Sequence, residues 1–398
     1  MVLADAAEIC YIRMKTMLIK HLAFLAIATI GLERLNVLPW SGSFVQLYYL
    51  LAAPFLGLLC WRHCKEFSKF YMLLLFVMAG SLISNGLYDA YYWKKFILVG
   101  FVILATFGLA VYFFSSREPK ILANSLKLYV LLNIVVTFFQ MYNFFQGGHI
   151  SGRLDASRFL NLDAVVIGDY FRLSGYSLDT NKGVFNFGYA LIFLTLVADR
   201  GWFWLRVLYP LTFFAHSRST LISILPALFM KSKWYAAVTV GLYLLVLLFL
   251  TPAGVFDDRF GMKLIPSSSN QTRLGLIRLW GDAMVQSSWE QVVFGHGFAG
   301  SGQYLNQLLG TTYGDFANGY LTLCYELGLA GIVLMGILFF RLWRNFDQPA
   351  RSMLLLPLLL FQLFYSNLAE PIIIFALSYF YLQHRGSQPF LPTNNKEA

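Results

Sequence analysis

Residues 96–114 read FILVGFVILATFGLAVYFF, nineteen consecutive residues without a charge, and a run of that length and character is expected to be a helix crossing a bilayer. In hydrocarbon every backbone N–H and C=O must be bonded within the segment, so helix is the form such a run takes. Working outward from it, eleven similar runs follow at about 17–38, 44–61, 70–88, 121–145, 183–198, 201–216, 218–230, 234–250, 317–340, 352–366 and 370–383. Hydrophobic residues make up 58% of the chain and charged ones 13%, against about a quarter charged in a water-soluble domain. The mean hydropathy of +0.62 agrees. The expected fold class is therefore all-α: one polytopic transmembrane helix bundle over 1–398 with about twelve spans. Two long ordered loops with short surface helices, 146–182 and 251–316, complete it, and residues 388–398 read as a polar tail.

A formal net charge of +10 would suggest nucleic acid in a soluble protein, but in a membrane protein lysine and arginine set orientation. Threading the spans places Arg13, Lys15, Lys20, Arg62, Lys65, Lys69, Arg117, Lys120, Arg200, Lys231, Lys233, Arg341, Arg344, Arg351 and Arg385 on one side. That side is expected to be cytoplasmic and to hold both termini; Lys94 and Lys95 depart from the pattern. The 201–230 region is expected to form two short helices meeting at the outer face, because Arg218 inside hydrocarbon would cost about 2.5–3.5 kcal/mol. Cys10, Cys60, Cys64 and Cys324 show no paired spacing for disulfides or zinc. The first run has no cleavage signature and reads as an uncleaved helix.

Seven arginines fall on the outer side: Arg153, Arg158, Arg172, Arg218, Arg259, Arg273 and Arg278. Four constellations gather around them. Segment 172–183, RLSGYSLDTNKG, ends the first long loop and enters a span. Arg172 offers a fork for phosphate, Asp179 and Asn181 suit a turn or cap, and its glycines, Gly183 included, permit close backbone approach. Segment 217–220, SRST, sets Ser217, Arg218 and two more hydroxyls at a helix start, an arrangement suited to an anion. Segment 272–280, TRLGLIRLW, precedes 294–298, FGHGF. Arg273 and Arg278 are five apart, so only one of them is expected to face a shared site. His296 is open to acid, base or donor roles. Last, 314–320, GDFANGY, leads into 325–331, YELGLAG. Asp315 reads as helix cap or carboxylate base, Asn318 begins the helix, and Glu326 lies deep enough to need a partner.

The order of these segments over roughly residues 120–340, with two large outer loops, resembles the O-antigen polymerase and O-antigen ligase superfamily. Arg172 followed after ten residues by Gly183 is similar to the pattern of the polymerases' outer loops; neither Arg273 nor Arg278 has a glycine at that spacing. Ligases carry a histidine pair just before the asparagine of the last outer helix, where this chain has Asp315, Phe316 and Ala317, and the polymerase branch is favoured.

The resemblance implies a glycosyltransferase of the bacterial inner membrane with its active site on the periplasmic face. Its donor and acceptor would be lipid-linked oligosaccharides on undecaprenyl pyrophosphate. Arg172, Arg218 and one of Arg273 and Arg278 are expected to clamp the pyrophosphate, since guanidinium groups bind phosphate through paired charge-assisted bonds. Asp315 or His296 would assist the acceptor hydroxyl, and Gly183, Asp179, Asn181, Ser217, Asn318 and Glu326 would support the site. No cofactor, metal or nucleic acid is expected; the bilayer is a partner, and a chain-length regulator protein is a further candidate. The alternatives are a ligase moving finished glycan to a lipid A core or protein, and a non-catalytic transporter of lipid-linked oligosaccharide.

Overall fold

The computed structural model describes residues 16–32, 37, 46–60, 65–85, 90–145, 149–150, 164–167, 170–172, 180–198, 200–215, 217–250, 268–298, 300–309, 316, 318–364 and 370–386. Every apolar run contains helix. In chain order these are α1 (Thr16–Ala28), α2 (Leu47–Ala52, continued as a 3-10 helix Ala53–Cys60), α3 (Lys65–Asn85), α4 (Ala90–Ser116) and α5 (Pro119–Phe145). Next come α6 (Thr180–Val197), α7 (Gly201–Leu208), α8 (Arg218–Lys231) and α9 (Lys233–Leu250). Three helices over the second long loop, α10 (Ser268–Val285), α11 (Trp289–Phe294) and α12 (Gly300–Leu309), precede α13 (Gly319–Asn345). A short turn Gln348–Ala350 and a π-helical turn Arg351–Leu355 lead into α14 (Leu356–Gln362), and α15 (Pro371–Gly386) closes the described chain.

Three of these, Trp93–Ser116, Pro119–Asn143 and Gly319–Asn345, are long and apolar enough to cross a membrane. Others are shorter for local reasons. Pro210 brings no N–H to a helix, and α7 passes there into a 3-10 helix, Tyr209–Ala215. The chain then restarts at α8, where Ser217 accepts a hydrogen bond from the Thr220 N–H. The 201–230 region is thus two helices. Residues 388–398 lie outside the described residues.

The first long loop departs from expectation: its described residues form strands, not surface helices. Strands β1 (His149–Ile150), β2 (Ala164–Ile167) and β3 (Tyr170–Arg172) make a small sheet in the order β1-β2-β3. β1 pairs parallel with β2, and β2 antiparallel with β3, setting Val165 opposite Arg172. β-branched residues dominate β2, and they favour a pleated surface. The described residues of the second loop are mostly helical, as expected. Ser288 and Gln291 form a reciprocal capping box at the start of α11.

One large apolar core joins α1–α9 to α13–α15. A second, small one holds Leu276, Ala283, Leu305, Phe316 and Tyr325, and so seats α10 and α12 on the first turns of α13. Helices α4 and α15 pack side by side, α14 lies against α8, and α6 touches α5, α7 and α8. Phe185 of α6 stacks on Phe361 of α14 with ring centres 3.9 Å apart. Asp347 and His384, 3.6 Å apart, close one end of the α14–α15 hairpin, so Leu363 and Glu370 lie at the other.

Candidate functional site

Four helices begin at that other end, and side chains tie their starts together. The Thr220 hydroxyl of α8 donates to the Asn181 carbonyl of α6 at 3.3 Å. Asn186, one turn further along α6, donates through Nδ2 to Glu370 Oε2 at 2.9 Å, which joins α6 to the start of α15. Asn318, the N-cap of α13, accepts from the N–H groups of Tyr320 and Leu321 and donates through Nδ2 to the Leu363 carbonyl at 3.1 Å. The Tyr320 hydroxyl reaches the Leu359 carbonyl at 2.9 Å. Helix starts carry partial positive charge and backbone donors beyond those their caps satisfy. The starts of α6, α8 and α15 are bonded to one another, and that of α13 to the carbonyls at the end of α14.

Buried hydroxyls line the α8 start. Ser217, Ser219, Thr220 and Ser223 are each at most 7% exposed. Ser217 Oγ lies 3.2 Å from Ser219 Oγ and 2.9 Å from Thr220 Oγ1, while Ser223 donates to the Ser219 carbonyl. Gly183 is buried in the first turn of α6.

The arginine-bearing segments belong to different elements. Arg218 is the first residue of α8 and Arg172 the last of β3, eight residues before α6 begins. Arg273 lies on the face of α10 that carries the buried Leu276 and Ala283, and its guanidinium stands 6.0 Å from the Phe364 ring, just past α14. Arg278 lies on the exposed face with Leu274 and Ile277. Of the two, Arg273 is therefore the one beside Asn318 and the end of α14. Asp179 and Asp315 lie outside the described residues. The capping role open to Asp315 falls to Asn318.

His296, bonded to Tyr325, and Glu326 belong elsewhere, seven and eight residues or roughly 10–12 Å along α13 from Asn318. There α13 is broken. Gly328 has φ 64° and ψ −166°, a conformation open essentially to glycine alone. The break frees the carbonyls of Tyr325 and Glu326, and the turn after α11 fills it: His296 N–H donates to Tyr325 O at 2.7 Å, and Gly297 N–H to Glu326 O at 3.2 Å. Gly295 (φ 84°) and Gly297 (φ 104°) shape the turn. A Cβ on Gly328 would stand 2.4 Å from the Val293 carbonyl oxygen. The His296 ring stacks on Tyr325 at 4.0 Å, its Nδ1 3.2 Å from Tyr325 O and its Nε2 2.8 Å from Ser287 Oγ. Burial pushes its pKa below the ordinary histidine value, opposed by the hydrogen bond to the Tyr325 carbonyl. Ser301 donates to Glu326 Oε1 at 2.5 Å. These groups staple a helix break. Tyr304 packs in the small core 5.6 Å from Tyr325.

Asn186 and Glu370 were not among the sequence candidates. Each is a lone polar residue at the margin of an apolar run, and 184 residues separate them; a carboxylate just before an apolar helix was the available signal. Among the described residues, no group of three His, Cys, Asp or Glu side chains is placed to hold a metal ion. No protein-family model matches the chain, and no curated protein matches it in sequence. The likeness to the O-antigen superfamily thus rests on the order of the motifs alone.

Proposed function

We propose that the protein is a membrane glycosyltransferase of the O-antigen polymerase type, joining lipid-pyrophosphate-linked repeat units at the periplasmic face of a bacterial inner membrane. In this reading the twelve apolar segments all take part in crossing the bilayer, and both termini are cytoplasmic. One observation carries it: the starts of α6, α8 and α15 are bonded to one another, that of α13 is bonded to the end of α14, and Arg218 begins α8 while the Arg273 guanidinium stands beside Phe364.

The chemistry follows from that charge. When an acceptor hydroxyl attacks the anomeric carbon, the bond to the lipid pyrophosphate breaks and negative charge grows on the leaving oxygen. Fixed guanidinium groups and helix starts bind that oxygen more strongly in the transition state than in the ground state. The donor lipid lies in the bilayer, which brings its two phosphates to the bundle edge. His296 then acts by position, since both ring nitrogens have partners inside the protein.

The transporter reading has one observation in its favour, because broken helices are a transporter feature. The carbonyls freed at Gly328, however, bond to His296 and Gly297 rather than facing a path. The ligase reading has no structural observation of its own.

The test is chain growth by purified protein supplied with lipid-linked repeat units. Arg218→Ala is expected to leave folded protein whose polymerisation falls about 100-fold or more, with single-unit product accumulating. Full-length polymer from that variant would sink the proposal. Transfer of preformed long chains to a core acceptor, without growth, would favour the ligase.

A further inference from the structure

We propose that α11 enters the half of the bilayer that holds the start of α13, so that Phe294 meets acyl chains and Trp289 stands at headgroup level. The proposal concerns lipid contact and is independent of the reaction above. Its first support is depth. Arg341 and Arg344 mark the far edge of α13, and the roughly 20 residues that fill a hydrocarbon core reach back from Arg341 to about Leu321. Tyr325 and Glu326, whose carbonyls take the His296 and Gly297 N–H groups, therefore stand about 6–8 Å inside that core. α3 gives the same level. Phe298 N–H donates to Ser81 Oγ at 3.2 Å, and Ser81 lies four residues, or about 6 Å, short of the end of α3 at Asn85. Helix α11 packs against both α13 and α3.

The backbone of the turn after α11 is the second support. At membrane depth, irregular backbone persists only where the protein itself satisfies its polar groups. The four successive N–H groups from Gly295 to Phe298 are all bonded within the protein, to the carbonyls of Gln291, Tyr325 and Glu326 and to Ser81 Oγ. In water none of them would need a protein partner.

The third is the grading of residues along α11. Ser287, Ser288, Glu290 and Gln291 lie at its start, and Val292, Val293 and Phe294 at its end. Trp289 is 68% exposed and Phe294 47%. The end of α11 lies against the break: a Cβ on Gly328 would meet Val293 O at 2.4 Å and Gly295 N at 2.5 Å. The next residue, Leu329, opens a stripe with Val333 and Ile337, 42–59% exposed. Apolar residues at such spacing on a helix long enough to cross a membrane form the face that lipid covers, and Phe294 extends that surface across the backbone contact. Tryptophan favours headgroup level, where Glu290 beside it stays hydrated. The exposed charges Arg278 and Asp282 belong to α10, before the descent, and the His296 ring turns back toward the polar start, its Nε2 2.8 Å from Ser287 Oγ.

The test uses wild-type protein in phosphatidylethanolamine–phosphatidylglycerol vesicles. It is photolabelled in parallel by a phospholipid with a diazirine on its acyl chain and by a water-soluble diazirine, and adducts are located by mass spectrometry. Leu329–Ile337 sets the lipid-to-water labelling ratio for acyl chains, and the exposed polar Arg344–Gln348 segment sets it for water. The ratio at Phe294 is expected within about threefold of the first and about tenfold or more above the second. A ratio nearer to that of Arg344–Gln348 overturns the proposal. So does protection of Phe294 from both probes, which would mean that protein covers it, and so do lipid adducts on Trp289 without any on Phe294. Absence of lipid adducts on Leu329–Ile337 overturns the membrane placement of α13 on which the proposal rests.

Discussion

At Gly328 the bundle opens a helix and fills the gap with its own backbone; at the starts of α6, α8, α13 and α15 it gathers helix ends and ties them with side chains. Both places set polar groups among apolar ones. In the first, two freed carbonyls receive two N–H groups, a histidine is held on both nitrogens, and a glutamate meets a serine. In the second, Ser217 caps α8 through one N–H and Asn318 caps α13 through two, and the Arg273 guanidinium stands beside Phe364 at the end of α14. Saturation marks the first region as architecture; the second is the one to which the proposal assigns a ligand.

The hardest way to break that contrast is at Gly328. Alanine there combines a glycine-only backbone conformation with a Cβ against the Val293 carbonyl, and is expected to cost about 3 kcal/mol or more. Thermal unfolding in detergent measures it; a variant as stable as wild type would mean the break is not held as described. Arg273 and Arg278 sharpen the contrast from the other side. Arg273→Ala is expected to slow chain growth about 30-fold or more, by loss of a charge-assisted contact. Arg278→Ala, on the exposed face, is expected to stay within threefold, and equal losses would dissolve the distinction between the two.

The smallest effect concerns His296. Its pKa is lowered in the fold, chiefly by burial, so the neutral ring is the one the fold favours. The stability this brings is complete above the ordinary histidine value of 6.5 and is lost as pH falls through the lowered one. The ring is only half buried, and solvent screening holds the contribution to about 1 kcal/mol or less. Unfolding curves of wild type and His296→Gln across that window are expected to draw together toward acid. Catalytic rate in His296→Gln is expected to follow stability alone, since the ring staples the break.

Much of the fold was legible because burial in lipid and helix formation ask for the same residues. The run 96–114 lies within α4, and 121–145 within α5. The break at Gly328 was not legible: YELGLAG continues an apolar helical pattern, and what opens it is the docking of a turn some thirty residues away. The first loop hid its sheet because its strands are two to four residues long, too short for alternation to register. At the candidate site, Ser217 and Asn318 were readable as helix starts from local chemistry. Glu370 was not, because its meaning comes from Asn186, and pairing across the chain leaves no local trace.

The ring of helix starts has a kinetic corollary. Peptide dipoles do not titrate, and guanidinium groups stay protonated throughout the working range, so in the proposed reaction the groups that would receive the departing pyrophosphate keep their charge whatever the proton concentration. Acidity dependence of the proposed turnover would then come from the substrates or from titratable side chains, not from the groups that hold the phosphates.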